Sequence, residues 1–204
     1  MFTFCPACAS KKISYADGKS FRCPDCGFVY YHNVAAATGC IIAVPENAGG
    51  VAIPAGRILF LVRGKEPGKG KLDLPGGFVD PGEGALDGLY RELREEIGWS
   101  PPVPPGASLA EVFTLFASFP NVYPYKGIPY NTCDVYFSLS APGLCEQDLR
   151  LERSEIAAAR FIRPQDIDYD EIAFESTRLA VKAYLALSVG KARGEVGWRN
   201  KAIN

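Results

Sequence analysis

The chain has 204 residues, of which 48% are apolar and 22% charged, and its formal net charge is −1. Those proportions are ordinary for a globular protein and exclude a disordered, collagen-like or coiled-coil chain. A near-neutral charge argues against a chain held on nucleic acid mainly by phosphate neutralisation. No run of 18 apolar residues is present, which predicts no transmembrane helix and no membrane partner. The start, MFTFCPACAS, lacks the basic and apolar regions of a secretory signal, and seven cysteines, an odd number, make a poor disulfide framework. A reducing, cytoplasmic setting is expected.

The first 33 residues stand apart. They carry Cys5-Pro-Ala-Cys8 and Cys23-Pro-Asp-Cys26, with 14 residues between the pairs. Ile13-Ser-Tyr15, Asp17-Gly18 and Phe21-Arg-Cys23 read as a short hairpin, because Asp-Gly between alternating apolar residues favours a tight turn. Thiolates on two such turns can close a tetrahedral zinc site. About 30 residues bury too little apolar surface to fold alone, so zinc would supply the missing stability. Cys5, Cys8, Cys23 and Cys26 are therefore the expected ligands of a structural Zn²⁺ with no open coordination position. His32, the only histidine, reads as a linker residue.

From Ala35 the pattern becomes α/β. Thr38–Val44 and Ile58–Val62 are expected strands, joined by the Gly-, Pro- and Asn-rich stretch Pro45–Gly56 as a hairpin loop. Leu74-Pro75-Gly76-Gly77 and Asp80-Pro81-Gly82 mark turns. Leu86, Leu89, Tyr90, Leu93 and Ile97 then recur at helical spacing, predicting a helix over Gly84–Ile97 that Gly98 terminates. The prolines of Pro101–Ala107 make a loop. Val112–Phe119 and Asp134–Leu139 read as strands, and Glu171–Leu187 as a helix with Thr177, Val181, Tyr184 and Leu185 on one side. The last residues, from Gly190, carry four basic residues against one acidic and include Trp198. Cys40, Cys133 and Cys145 occur singly and read as inert fillers.

The first helix carries the chemistry. Glu92, Glu95 and Glu96, at i, i+3 and i+4, share one face, while the apolar stripe lies to the side. Three like charges so close would weaken an isolated helix, and interleaved lysines would serve a solvated face better. Oxygen ligands beside a glycine turn instead suit Mg²⁺ or Mn²⁺. Arg91 and Glu83 are placed to orient those carboxylates, and Gly76 and Gly77 let backbone approach a metal or a phosphate closely.

The run Gly77-x5-Glu83-x7-Arg91-Glu92-Leu93-x-Glu95-Glu96-x-Gly98 resembles the Nudix box. Trp99 fills its last apolar position with an aromatic, and Gly88 and Leu89 stand where small alanines are usual. The resemblance implies a Nudix α/β/α sandwich with a mixed sheet, an α/β fold over residues 34–188. A small zinc-ribbon β domain (1–33) precedes it and a basic tail (189–204) follows. It implies hydrolysis of a phosphorus-containing anhydride, with water attacking a phosphorus. Glu92 and Glu96 would then be direct ligands of Mg²⁺ or Mn²⁺, Glu95 a ligand or base, and Gly76 a source of a backbone carbonyl. Arg91 and Glu83 would pair to brace the helix.

Two cysteine pairs ahead of such a domain look like the NADH pyrophosphatase group, and the likeness implies a homodimer. In that group Ser154-Glu155-Ile156-Ala-Ala-Ala-Arg160-Phe161 is similar to a segment holding a further metal-binding glutamate, here Glu155, with Glu152 as competitor. The group's Ser-Gln-Pro-Trp-Pro-Phe-Pro appears as Ser118-Phe119-Pro120-Asn121-Val122-Tyr123-Pro124, without the glutamine and tryptophan. Tyr123, Tyr125, Tyr130 and Phe174 can stack a base, line a phosphate cleft, or simply pack a proline-rich loop. The expected substrate is a nucleoside diphosphate linked to another moiety, of the NADH, NAD or ADP-ribose type, with AMP as product. The alternatives are a nucleoside triphosphate pyrophosphohydrolase and a zinc-ribbon regulator that senses a ligand or binds nucleic acid. Residues 1–33 hold four Lys and Arg against two Asp, too small an excess to track phosphates.

Overall fold

The computed structural model describes residues 2–15, 18–48 and 51–192 in two compact units, Met1–Val34 and Ala35–Asn204. Asp17 of the expected turn, and Trp198 with the end of the basic tail, lie outside the described residues.

In the first unit, β1 (Ser14–Tyr15), β2 (Ser20–Arg22) and β3 (Val29–Tyr31) form an antiparallel sheet in that order. The third strand is not legible from the hairpin pattern; it forms because β2 has a free edge that Val29–Tyr31 reaches straight after the second cysteine turn. Phe21 is buried at the centre, ringed by Phe2, Tyr15, Phe28 and Tyr30 at 5.5 to 6.2 Å. The two cysteine turns are alike. Ala9 N–H donates to the Cys5 carbonyl and Gly27 N–H to that of Cys23, and both Ala9 and Gly27 are left-handed. Asp25 accepts from Ser10 Oγ (2.6 Å) and Lys12 Nζ (3.2 Å), tying one turn to the other.

The second unit is the expected three-layer sandwich. Its sheet runs β6 (Leu72–Asp73), β5 (Val51–Arg63), β4 (Ala35–Ala48), β8 (Ile128–Ser140), β7 (Thr114–Tyr125), and β9 (Ile156–Ile162) also pairs with β5. The β4–β8 pair is parallel and the others antiparallel. The central strands are apolar on both faces, as a sheet covered on both sides requires. Cys40, Ile42, Val44, Leu59 and Leu61 pack with Leu89, Leu93 and Ile97 of α1 (Ala85–Ile97). Ile41, Ile58, Phe60 and Val62 pack on the other side with Ala180 and Val181 of α3 (Glu175–Ala192).

Several boundaries differ from the sequence reading. Pro45–Gly56 is mostly strand: after a bulge at Val44/Glu46 the hairpin continues to Ala48↔Val51. Pro45 falls at that bulge, where its missing N–H costs little. The aromatic stretch 119–130 is likewise a hairpin, paired out to Tyr125↔Ile128 and turned by the left-handed Lys126 and Gly127. Val112 ends a short helix, α2 (Leu109–Val112), and α3 starts at Glu175 because Tyr169–Glu171 forms a separate 3-10 turn under the Asp168 carboxylate. β9 contains three alanines and has little strand propensity; it is a strand because it covers the edge of β5. Among the described residues, no helix is long and apolar enough to cross a membrane.

Candidate active site

The loop between β6 and α1 is zipped along β4. Cys40 N–H donates to the Pro75 carbonyl (2.9 Å), Thr38 N–H to Gly77 (2.8 Å), and Val79 N–H to Ala36 (3.0 Å). Gly76 sits at φ 140°, and a Cβ there would collide with the Thr38 carbonyl oxygen. A Cβ at Gly77 would lie 2.6 Å from the Glu92 carboxylate. Both glycines are therefore demanded by close approach, one to strand and one to helix.

Along α1, the side chains of Glu92 and Glu96 line an open cleft with a cavity volume of about 230 Å³, and Glu155 lines it from the turn before β9. Glu96 accepts from Gly76 N–H at 2.9 Å. Burial pushes the Glu96 carboxyl well above the usual carboxylate range, and Glu92, Asp73 and Glu155 add repulsion that the Gly76 bond only partly offsets. Burial also raises Glu92, against the pull of Arg91.

Arg91 organises the helix. Its Nε and Nη2 donate to the two Glu83 oxygens (3.2 and 2.7 Å), Nη1 to Glu92 (2.8 Å) and Glu95 (3.0 Å), and Nη2 to the Phe78 carbonyl (3.0 Å). Those bonds, the Glu83 pair first, raise Arg91 and hold Glu83 below its ordinary value. The Glu95 side chain is 59% exposed and does not line the cleft. Glu152 is also outside it, with its carboxylate accepting from Ser154 N–H (3.1 Å) and Oγ (2.8 Å). Glu155 instead pairs with Lys65 at 2.5 Å.

Tyr123 and Phe174 meet at 5.6 Å between ring centres, and Phe78 packs edge-on to Tyr123 at 5.3 Å. Tyr125 is not brought there: it lies at the hairpin tip, 47% exposed, under Lys126. Tyr130 is similarly exposed on β8, and neither tyrosine lines the cleft. Of the tyrosines in 119–130 only Tyr123, opposite Tyr130 in the ladder, turns its ring into the cleft.

Sequence reasoning passed over the polar floor. Arg63 donates to Asp73 (2.8 Å) and to the Pro67 carbonyl (2.6 Å), and lies over the Phe174 ring at 4.9 Å. Burial raises Asp73 against the charge of Arg63. Thr132, Asp134 and Tyr136 line the cleft from alternate positions of β8. Polar residues recurring at period two in a strand apolar on its other face were the available signal.

In the first unit, Cys5 Sγ lies 3.7 Å from Cys26 Sγ, and Cys8 Sγ 3.6 Å from Cys23 Sγ. All four sulfurs lie within 4.8 Å of one another, the one such set of Cys, His, Asp or Glu ligand atoms among the described residues. A tetrahedron with metal–sulfur bonds of ~2.3 Å has edges of about 3.8 Å, so the set fits zinc. His32 stacks on Tyr15 instead.

A mixed sheet between two helical layers, with a glutamate-bearing helix facing a glycine loop over a polar cleft, defines an α/β/α sandwich with its site at one end of the helix. The NUDIX domain family matches residues 41–181, and the chain belongs to it. It is 34% identical over 95 residues to NAD-capped RNA hydrolase NudC of Chromobacterium violaceum, covering 47% of this chain and 32% of that protein. It is 41% identical over 95 residues to the ADP-ribose pyrophosphatase of Methanocaldococcus jannaschii, covering 47% and 46%. The matched segments thus span less than half of either relative. Its fold resembles the crystal structure of a NUDIX hydrolase from Nitrosomonas europaea, with a TM-score of 0.58 at 22% identity over 96% of each chain.

Proposed function

We propose that the chain is a divalent-cation-dependent Nudix hydrolase that cleaves the pyrophosphate linkage of a nucleoside diphosphate joined to another moiety, of the NADH, NAD or ADP-ribose type, releasing AMP. The observation that carries this is the convergence of Glu92, Glu96 and Glu155 on one open cleft beside Gly76 and Gly77. Similarity to an NAD-capped RNA hydrolase and to an ADP-ribose pyrophosphatase supports the substrate class.

Glu92, Glu96 and Glu155 would hold Mg²⁺ or Mn²⁺: an oxygen-only donor set whose members repel one another, with Glu96 half-buried, suits a hard divalent cation. Such a cation supplies positive charge to the phosphates and acidifies the attacking water. Arg91 fixes the Glu92 carboxylate and, through Glu83, the entry of α1. Glu95, on the exposed flank, acts through Arg91 as a positioning residue. Gly76 orients Glu96 through its N–H, and Tyr123 and Phe174 offer ring faces to a base.

In the same reading, residues 1–33 are a zinc ribbon in which Cys5, Cys8, Cys23 and Cys26 hold a structural Zn²⁺; 34–188 are the hydrolase domain and 189–204 a basic tail. The working form is a cytoplasmic homodimer that takes a small nucleotide-type substrate.

The test is product identification by chromatography with Mg²⁺ or Mn²⁺ on NADH, NAD, ADP-ribose and the common nucleoside triphosphates, with Glu96→Gln alongside. AMP from a dinucleotide or from ADP-ribose, lost in the variant, is expected. Pyrophosphate from a triphosphate alone would replace this reading with a triphosphate pyrophosphohydrolase.

A further inference from the structure

The floor of the cleft holds a charge that the reaction above does not use. Asp134 is only 7% exposed and lines the cleft. Its Oδ1 accepts from Thr132 Oγ1 at 2.5 Å and its Oδ2 from Ser176 Oγ at 2.7 Å. Tyr136 donates its hydroxyl to Ser176 (3.0 Å), so two hydroxyl protons in series point at the carboxylate. On the neighbouring branch, Thr177 donates to Asp73 (3.0 Å), which Arg63 neutralises. Asp134 has no ion-pair partner among the described residues. Of the two aspartates, only Asp73 is paired with Arg63, and the buried Asp134 has no cation beside it among those residues.

A carboxylate has about four lone-pair positions, and hydroxyls occupy two of those on Asp134. A buried anion with spare acceptor capacity is costly unless a ligand completes it. It would repel a pyrophosphate, so this end of the cleft faces the uncharged part of the substrate. Asn121, directly across the β7–β8 ladder from Thr132, also lines the cleft, and its side-chain amide has no partner among the described residues. Ala37 and Gly39 of β4 also line this end of the cleft, and the Tyr136 ring packs directly on Gly39, where a Cβ would lie 2.7 Å from it.

We infer that Asp134 is a specificity-determining residue that accepts a pair of adjacent hydrogen-bond donors from the nucleoside part of the substrate, with Asn121 beside it. This rests on the proposed nucleotide site. Two groups carry such a pair: the 2′,3′-diol of the ribose, which the proposed adenine-containing substrates present, and the guanine edge with its two neighbouring N–H groups, which would make GMP and not AMP the product. Each separates Asp134 from a residue of purely structural role, because an analogue lacking one or both donors escapes the effect.

The test measures equilibrium binding by calorimetry, on the full chain with Mn²⁺, of GDP against IDP and of ADP against 2′,3′-dideoxy-ADP. The chain itself, Asp134→Asn and Ser176→Ala are compared, with thermal melting of each. If the base is read, the chain prefers GDP to IDP by about 10- to 100-fold and Asp134→Asn erases that preference. If the ribose is read, the preference for ADP over its dideoxy analogue is the one erased. Ser176→Ala, which keeps the charge but loses one anchor, gives a smaller loss in the same pair. Equal affinities within both pairs for the native chain, or an Asp134→Asn effect that is the same for all ligands, would overturn the inference. Binding with the expected discrimination but no turnover of any substrate would instead overturn the hydrolase reading and leave this one standing.

Discussion

The chain carries two groupings of metal-type side chains, and they are built oppositely. In residues 1–34 the four sulfurs already lie within 4.8 Å of one another around a core that amounts to Phe21 and its ring of aromatics. In the cleft the carboxylates have partners of their own: Arg91 on Glu92, Gly76 on Glu96, Lys65 on Glu155. Behind them stands a sheet packed on both faces. In the proposed reading the first arrangement needs its ion to fold, whereas the second folds without one and keeps its ligands available for exchange. A closed thiolate site and an open carboxylate site thus follow from how much apolar surface each region can bury.

The largest effect that would break this comparison is chelation. Removing zinc should unfold residues 1–34 completely while 35–192 keep their fold, which amide NMR dispersion reports for each region separately. A native-like spectrum for the cysteine region after chelation would refute the contrast. Next, Glu96→Gln should lower kcat by about a thousandfold, in line with losing a group that holds the catalytic cation. The cation-free chain should melt no lower than before, since burial already disfavours the charge of Glu96. A variant that loses activity by unfolding would place Glu96 in the core and not in the site.

Gly76→Ala should cost about 2–4 kcal/mol, because the new Cβ must displace the β4 backbone from an already left-handed position; denaturant midpoints measure it. Arg91→Lys should cost about 1–3 kcal/mol, since an ammonium cannot reproduce the fork that spans Glu83, Glu92, Glu95 and Phe78. The smallest effect concerns pH. Because burial raises Glu92 and Glu96 in the folded chain, the folded state holds protons that the unfolded state has released. Without divalent cation, stability from these groups is present below the ordinary glutamate value and is lost as pH rises through the raised one. With Mn²⁺ the trend should reverse, as the cation displaces those protons and binds more tightly at higher pH. Melting curves from pH 5 to 7.5, with and without Mn²⁺, would show parallel slopes if the cleft does not bind the ion.

Local features were legible in the residues themselves. The helix over 85–97 announced itself by apolar spacing and its Gly98 stop, which the structure shows in left-handed conformation at φ 59°. Strand cores such as 38–44 and 58–62 were visible from continuous apolar runs. Where strands ended was not, because Pro45, Asn47 and the glycines near the tip read as loop while backbone pairing carries both arms of that hairpin further. The same holds for Tyr125: an aromatic in a proline-rich stretch cannot be placed inside or outside a cleft without knowing where the hairpin leaves the sheet.

Sequence by itself therefore determined the cysteine pairs, the carboxylate helix and the two-sided apolar core, since all three depend on spacing along one element. Tertiary structure alone decided which carboxylates share a cleft. It brought Glu155 from the turn before β9 and left Glu95 on Arg91, and it set Asp134 of β8 against Ser176 of α3, 42 residues away. Such meetings depend on the order of strands in the sheet and on which face each residue takes, and those are settled by packing between distant segments.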